Sequence, residues 1–106
     1  CLLLFTGETW KHLLQDKLSG LSLGNKQHRA FIRNFISPAV MVQADKQGRV
    51  LLPQRLREYA GITDEVLVLG ANKYIELWNP GLFEQEQAAS RMDGPEIGAK
   101  LEELGF

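Results

Sequence analysis

The chain has 106 residues, 44% of them apolar and 24% charged, and its formal net charge is −1, a balance that excludes intrinsic disorder and fits one globular domain or two small repeats sharing a core. Its longest apolar runs, Cys1 to Phe5 and Ala39 to Val42, fall far short of the ~18 residues of a membrane span. One Cys cannot make an internal disulfide, and two His beside it are a poor set for a structural metal site, so the expected compartment is reducing and cytoplasmic.

Cys1 to Phe5 reads as a buried strand in which Cys1 is an inert small hydrophobe. An N-terminal Cys also marks a lipoprotein, but here no polar tether follows it, so the expectation is a start cut out of a longer chain. Thr9 to Leu18 is predicted helical, with Trp10, Leu13, Leu14 and Leu18 on one face. In a second helix, Asn25 to Ile36, Phe31 pairs with Phe35 and Ile32 with Ile36, while Lys26, Arg29 and Arg33 share another face. Pro38 ends that helix by pushing the residue before it out of the α region.

Ala39 to Ala44 and Arg49 to Leu52 are the predicted strands of a hairpin closed by Asp45-Lys46-Gln47-Gly48. Asp accepts backbone N–H groups there, and Gly supplies the positive φ. Pro53 stops the second strand at the entrance to a short helix, Gln54 to Ala60, with Gly61 as its left-handed terminus. Strands Val66 to Leu69 and Tyr74 to Trp78 follow, joined by a tight turn around Ala71-Asn72-Lys73. A long helix runs from Pro80 to Met92, with Asn79 as N-cap. Asp93-Gly94-Pro95 breaks the chain, and Glu96 to Leu104 is either an amphipathic helix on Ile97, Leu101 and Leu104 or a loosely ordered tail.

Two long-range patterns overlie these elements. Between Asn25 and Arg57 seven basic residues face Asp45 alone, a local charge of +6, which leaves −7 on the rest of the chain. Such a split points to an anionic partner at one surface, the alternative being a solvated basic face. A weak repeat also appears at an offset of 73, placing Leu4 on Leu77, Phe5 on Trp78 and Trp10 on Phe83. If the second unit begins near Ala39, about 35 residues of the first are expected upstream of Cys1.

An enzyme reading finds little support. His12 and His28 lie on different predicted helices without an obvious carboxylate partner, no phosphate-cradling Gly loop is present, and Asp64-Glu65 reads as solvated loop. The hairpin tip is more informative. It projects Lys46 and Gln47 into solvent with Arg49 directly behind them, and a two-stranded ribbon can enter the major groove, where Arg matches guanine O6 and N7. The other reading, equally open, is that Arg49 pairs with Asp45 and stiffens the turn.

The run Asp45-Lys46-Gln47-Gly48-Arg49-Val50-Leu51-Leu52-Pro53-Gln54-Arg55-Leu56-Arg57 resembles the D-x-x-G-R-x-x-x-P-x-x-L-R motif of the MraZ family, within the AbrB-like group of transcription factors. The likeness extends over Glu58 to Ile62, Val66 to Gly70, Asn72 to Trp78, Cys1 to Phe5 and Asn25 to Pro38, nearly all of residues 1 to 90. It implies an α+β, mainly β fold, an AbrB-like swapped-hairpin barrel with two tandem hairpin/helix units per full chain. The divisions expected here are 1–37 as the remainder of an incomplete first unit, 38–92 as the second unit, and 93–106 as a tail or short helix. Family members carry D-x-x-G-R twice and this chain once, so the other copy is expected before Cys1.

The same resemblance implies a non-enzymatic, cytoplasmic and nucleoid-associated repressor-type regulator of the bacterial division and cell-wall gene cluster. Its implied partners are double-stranded promoter DNA with short direct repeats and further copies of itself in a ring. No cofactor, metal, membrane or small-molecule substrate is expected. Carried over by position, Arg49 and Lys46 are the leading DNA contacts, Gln47 joins them at the tip, and Arg55 and Arg57, with Arg29 and Arg33, are secondary. Asp45, Gly48 and Pro53 shape the turn. The alternative is an oligomerisation or antitoxin-like protein-interaction module whose basic segment meets an acidic protein.

Overall fold

Three short strands and five helices make up the computed structural model, which describes residues 1–105. The first strand, β1 (Leu2–Leu4), leads to α1 (Gly7–His12), where the Thr6 side chain accepts the N–H of Thr9 as N-cap. Helix α1 widens into a π-helical turn at Leu13–Lys17, in which the Leu18 N–H reaches back to Leu13 O. The second helix, α2 (Lys26–Phe31), repeats this design: Asn25 caps it through the N–H groups of Gln27 and His28, and a π turn at Ile32–Ile36 ends with the Ser37 N–H on Ile32 O. Such wide turns are uncommon inside helices.

Helix α3 (Gln54–Ala60) starts at Pro53 and ends at Gly61, whose φ of 69° is the left-handed conformation predicted for it. Strands β2 (Leu67–Ala71) and β3 (Tyr74–Trp78) form an antiparallel hairpin, with Asn72 at φ 39° in its turn. They are followed by α4 (Pro80–Ser90) and α5 (Gly94–Glu103), capped by Asn79 and Asp93. The C-terminal segment is thus a helix rather than a loose tail, because Asp93 accepts the Glu96 N–H at its first turn.

The sheet has the order β1-β3-β2, all antiparallel, with Leu2 opposite Leu77 and Leu67 opposite Trp78. Leu77, central in the middle strand, is buried together with Ala60 and Ile62, and Leu2 and Leu52 pack on them. A second, aromatic cluster joins the N-terminal elements to the sheet: Phe5 lies 5.5 Å from Trp10, 6.3 Å from Phe35 and 5.8 Å from Tyr74. Edge-to-face and tilted ring pairs at such separations add to the area they bury. The radius of gyration is 16.5 Å, against about 13 Å for a close-packed domain of this length. So few buried residues in so extended a chain leave much of its apolar surface uncovered.

Five expectations need correcting. Pro38 does not push the residue before it out of the α region, since Ser37 keeps φ −61° and ψ −36° where its N–H closes the π turn on Ile32 O. The segments Ala39 to Ala44 and Arg49 to Leu52 are not strands; the arms pair only through the bridge Ala44↔Val50 beside the turn. An isolated two-stranded ribbon is marginal in water without a third strand or a covered face, and here Met41 and Leu51 are 90% and 85% exposed. In consequence helix outweighs strand, so the fold is α+β but not mainly β. Cys1 precedes β1 and is exposed rather than buried. His12 does have a carboxylate partner, since one helical turn brings Asp16 within 3.2 Å of its Nδ1, although both side chains are solvent-exposed and no third group hydrogen-bonds to them among the described residues.

Candidate nucleic-acid interface

The tip between the two arms is built by Asp45. Its N–H donates to Arg49 O at 2.8 Å, and its carbonyl accepts the Gly48 N–H at 3.0 Å. Its Oδ1 accepts the N–H groups of Gln47 and Arg49 at 2.9 and 2.8 Å, and its Oδ2 accepts Arg49 Nε at 2.8 Å. An Asp side chain folding back on its own following residues is the local chemistry that makes this residue favour turns. Gly48 completes the turn at φ 80°, a conformation that strains residues with a side chain.

These bonds hold the Asp45 carboxyl below its ordinary value, the Arg49 N–H contributing most, then the Arg49 side chain and the Gln47 N–H. The turn therefore draws its order from an ionised carboxylate. Lys46, Gln47 and Gly48 at the apex are all exposed.

Both readings of Arg49 are realised in one geometry. The Nε side of its guanidinium is anchored to Asp45, yet the side chain is 76% exposed, and its two terminal amino groups make no hydrogen bond among the described residues. An anchored fork has lost most of its rotamer freedom in advance, so a ligand with two adjacent acceptors meets a pre-ordered donor pair.

The structure brings together Asp45, Lys46, Gln47, Gly48 and Arg49, and sets the remaining predicted residues apart from them. Pro53 opens α3, its carbonyl accepting the N–H groups of Leu56 and Arg57. Arg55, on α3, donates from Nη2 to Pro38 O at 3.3 Å and so braces the base of the first arm. Arg57 is half-buried, and its Nε is buried without a hydrogen-bond partner among the described residues. Sequence reasoning missed that buried donor, and it missed Asn79 as a strut. While capping α4 through Leu82, Asn79 also donates from Nδ2 to Gly61 O at 2.6 Å. The Asn-Pro pair signals the cap, but nothing in sequence signals a bond across 18 positions.

The geometry defines a class: a small α+β protein that presents cationic and amide side chains on a rigid turn. A family profile described as "MraZ protein, putative antitoxin-like" matches residues 35–100. The chain is 40% identical over all of its 106 residues to a protein of Caldicellulosiruptor saccharolyticus named Transcriptional regulator MraZ, and spans 73% of that protein. Proteins of the same name from Acetivibrio thermocellus and Clostridium acetobutylicum are 38% and 42% identical over the same 106 residues, each again with 73% of its length covered. No solved structure matches the chain. The chain belongs to the MraZ family.

Proposed function

We propose that this chain is a transcriptional regulator that binds promoter DNA sequence-specifically through its Asp45–Arg49 tip. The name its relatives carry supports the regulatory role, and the observation that carries the DNA reading is the tip itself, with Arg49 anchored through Nε and exposed at its outer end. Arg49 reads a base edge or grips a phosphate, Lys46 contacts phosphate and Gln47 a base or phosphate, while Asp45 and Gly48 shape the turn. Arg55 and Arg57 belong to the support of the tip more than to its contact surface.

In this reading residues 1–37 belong to one AbrB-like unit and 38–92 form a second that carries the tip, with helix α5 appended after it. The regulator is cytoplasmic, represses the division and cell-wall gene cluster, and works as a ring of copies whose tips engage direct repeats together. Each tip binds weakly, and effective concentration supplies the affinity. Two features support assembly: the bare apolar arms at Met41 and Leu51, and the unpartnered Arg57 Nε. A second copy that pairs with the arms would cover the first and could offer an acceptor to the other.

Arg49→Ala is expected to weaken binding to a duplex selected from a random pool by the wild-type protein, by about 1–3 kcal/mol per engaged tip at fixed salt. Unchanged preference over a scrambled duplex would overturn this reading. The family description "putative antitoxin-like" favours a second one, a protein-interaction module. It predicts a salt-dependent association with any duplex and no sequence preference.

A further inference from the structure

We propose that the face of α2 and its π turn carrying Lys26, Arg29 and Arg33 is a second DNA-contacting surface, one that grips the phosphate backbone while the tip reads bases. The proposal rests on the DNA reading of the tip and adds to it a site on a different element.

All three cations are exposed. None forms a salt bridge among the described residues, whereas Arg49 at the tip does. Lys26 and Arg29 lie one turn apart on α2, and Arg33 lies at the start of the π turn that continues it, so the three follow one side of the helix over about 10 Å at ~1.5 Å per residue. The stripe lies away from the apolar side of α2, where Phe35 sits 5.7 Å from Trp10 and 6.3 Å from Phe5 in the aromatic cluster. The helix is thus anchored by one side and presents its positive side outward.

Two further bonds keep the stripe in place. Arg29 donates from Nη1 to Leu23 O at 2.7 Å, and the Ser22 N–H donates to His28 Nδ1 at 2.9 Å, so the loop before α2 is fastened to the helix. At the other end Arg55 holds the carbonyl of Pro38, where the chain leaves α2 for the tip. Only the six residues Ala39 to Ala44 separate Pro38, where this segment ends, from the tip at Asp45, so the stripe and the tip are close neighbours along the chain. Each strand of duplex DNA carries one negative charge per ~3.4 Å of axis, so three cations spread over about 10 Å, none in a salt bridge among the described residues, match the phosphate spacing of one strand.

The test is a salt titration of the intact protein on a duplex selected by the wild type from a random pool, beside a scrambled duplex. Lys26→Gln with Arg33→Gln removes two charges and leaves the Arg29 and His28 bonds intact. The expected result is a log K against log [salt] slope smaller by about 1.8, roughly 0.9 for each phosphate lost, with the selected-to-scrambled ratio unchanged. Lys26→Arg with Arg33→Lys should restore the wild-type slope, which separates charge from folding, and circular dichroism should show the same helix content in all three proteins. An unchanged slope in the Gln variant overturns the proposal while leaving the tip reading standing. So does an unchanged slope with an altered sedimentation mass, which would assign the face to the acidic surface of another copy. If selection with the wild type enriches no sequence, the tip reading fails and this proposal falls with it.

Discussion

Asp45 does at one position what a longer element would otherwise have to do. Five of its polar contacts fall within the four residues that follow it, so the tip keeps its shape even though the arms behind it form almost no ladder. Because the Asp45 carboxyl is held below its ordinary value, the order it supplies is fully present above that value and is lost as pH falls through the lowered one. Nuclear magnetic resonance of the Gln47 and Arg49 amides should therefore show a stable turn near neutral pH and its loss only below roughly pH 3.9, the unperturbed aspartate value. Asp45→Asn keeps an oxygen for the two N–H groups but removes the charge facing Arg49. It is expected to leave a turn that no longer changes over that acidic range. Turn chemistry of this kind is legible in sequence because every partner lies within four positions. The roles of Arg55 and Arg57 were not, since the carbonyl of Pro38 is 17 positions from Arg55 and burial of the Arg57 Nε depends on packing.

At the scale of elements, local signals placed the helices well. Asn25, Pro53, Gly61 and Asn79 bound their helices as caps should, because a cap is satisfied by N–H and C=O groups one turn away. The junction of α3 with α4 tests this most directly. A Cβ at Gly61 would lie 3.3 Å from Leu82 Cδ1, and φ there is +69°, so Gly61→Ala combines left-handed strain with crowding. Urea denaturation should show a loss of about 1–2 kcal/mol. Asn79→Ala removes both the cap of α4 and the bond to Gly61 O, with an expected loss of about 1–2 kcal/mol. The double variant should lose less than the sum of the two, since the residues share one junction. The arms behaved oppositely: apolar alternation and a good turn marked them as strands, but strand pairing needs a partner surface, and the described residues offer the arms only the single bridge Ala44↔Val50.

For the whole molecule the decisive fact is how little is buried. With Ala60, Ile62 and Leu77 as the buried residues among those described, each carries an unusual share of the stability. Leu77→Ala is expected to cost about 2–5 kcal/mol in urea denaturation, a large part of the stability of an ordinary domain. The assembly proposed above gives this scale its own prediction. If further copies cover the arms, the melting temperature should rise with protein concentration, and sedimentation should give a mass that is a multiple of the chain. A concentration-independent melt of a monomer would remove assembly from the proposal.

The sequence by itself determined the short helix closed by Gly61, the Asn79 cap, the tip of the hairpin and the concentration of positive charge from Asn25 to Arg57, because each depends on residues within a turn or two of one another. It also carried the family, through a motif whose spacing is local. Only the tertiary structure decided that β1 completes a sheet with β3 and β2, that an aromatic cluster ties the π turn after α2 to that sheet, and that the two arms pair through one bridge alone among the described residues. Those outcomes depend on which apolar surfaces find a partner at long range, and a short chain with so small a core satisfies only some of them.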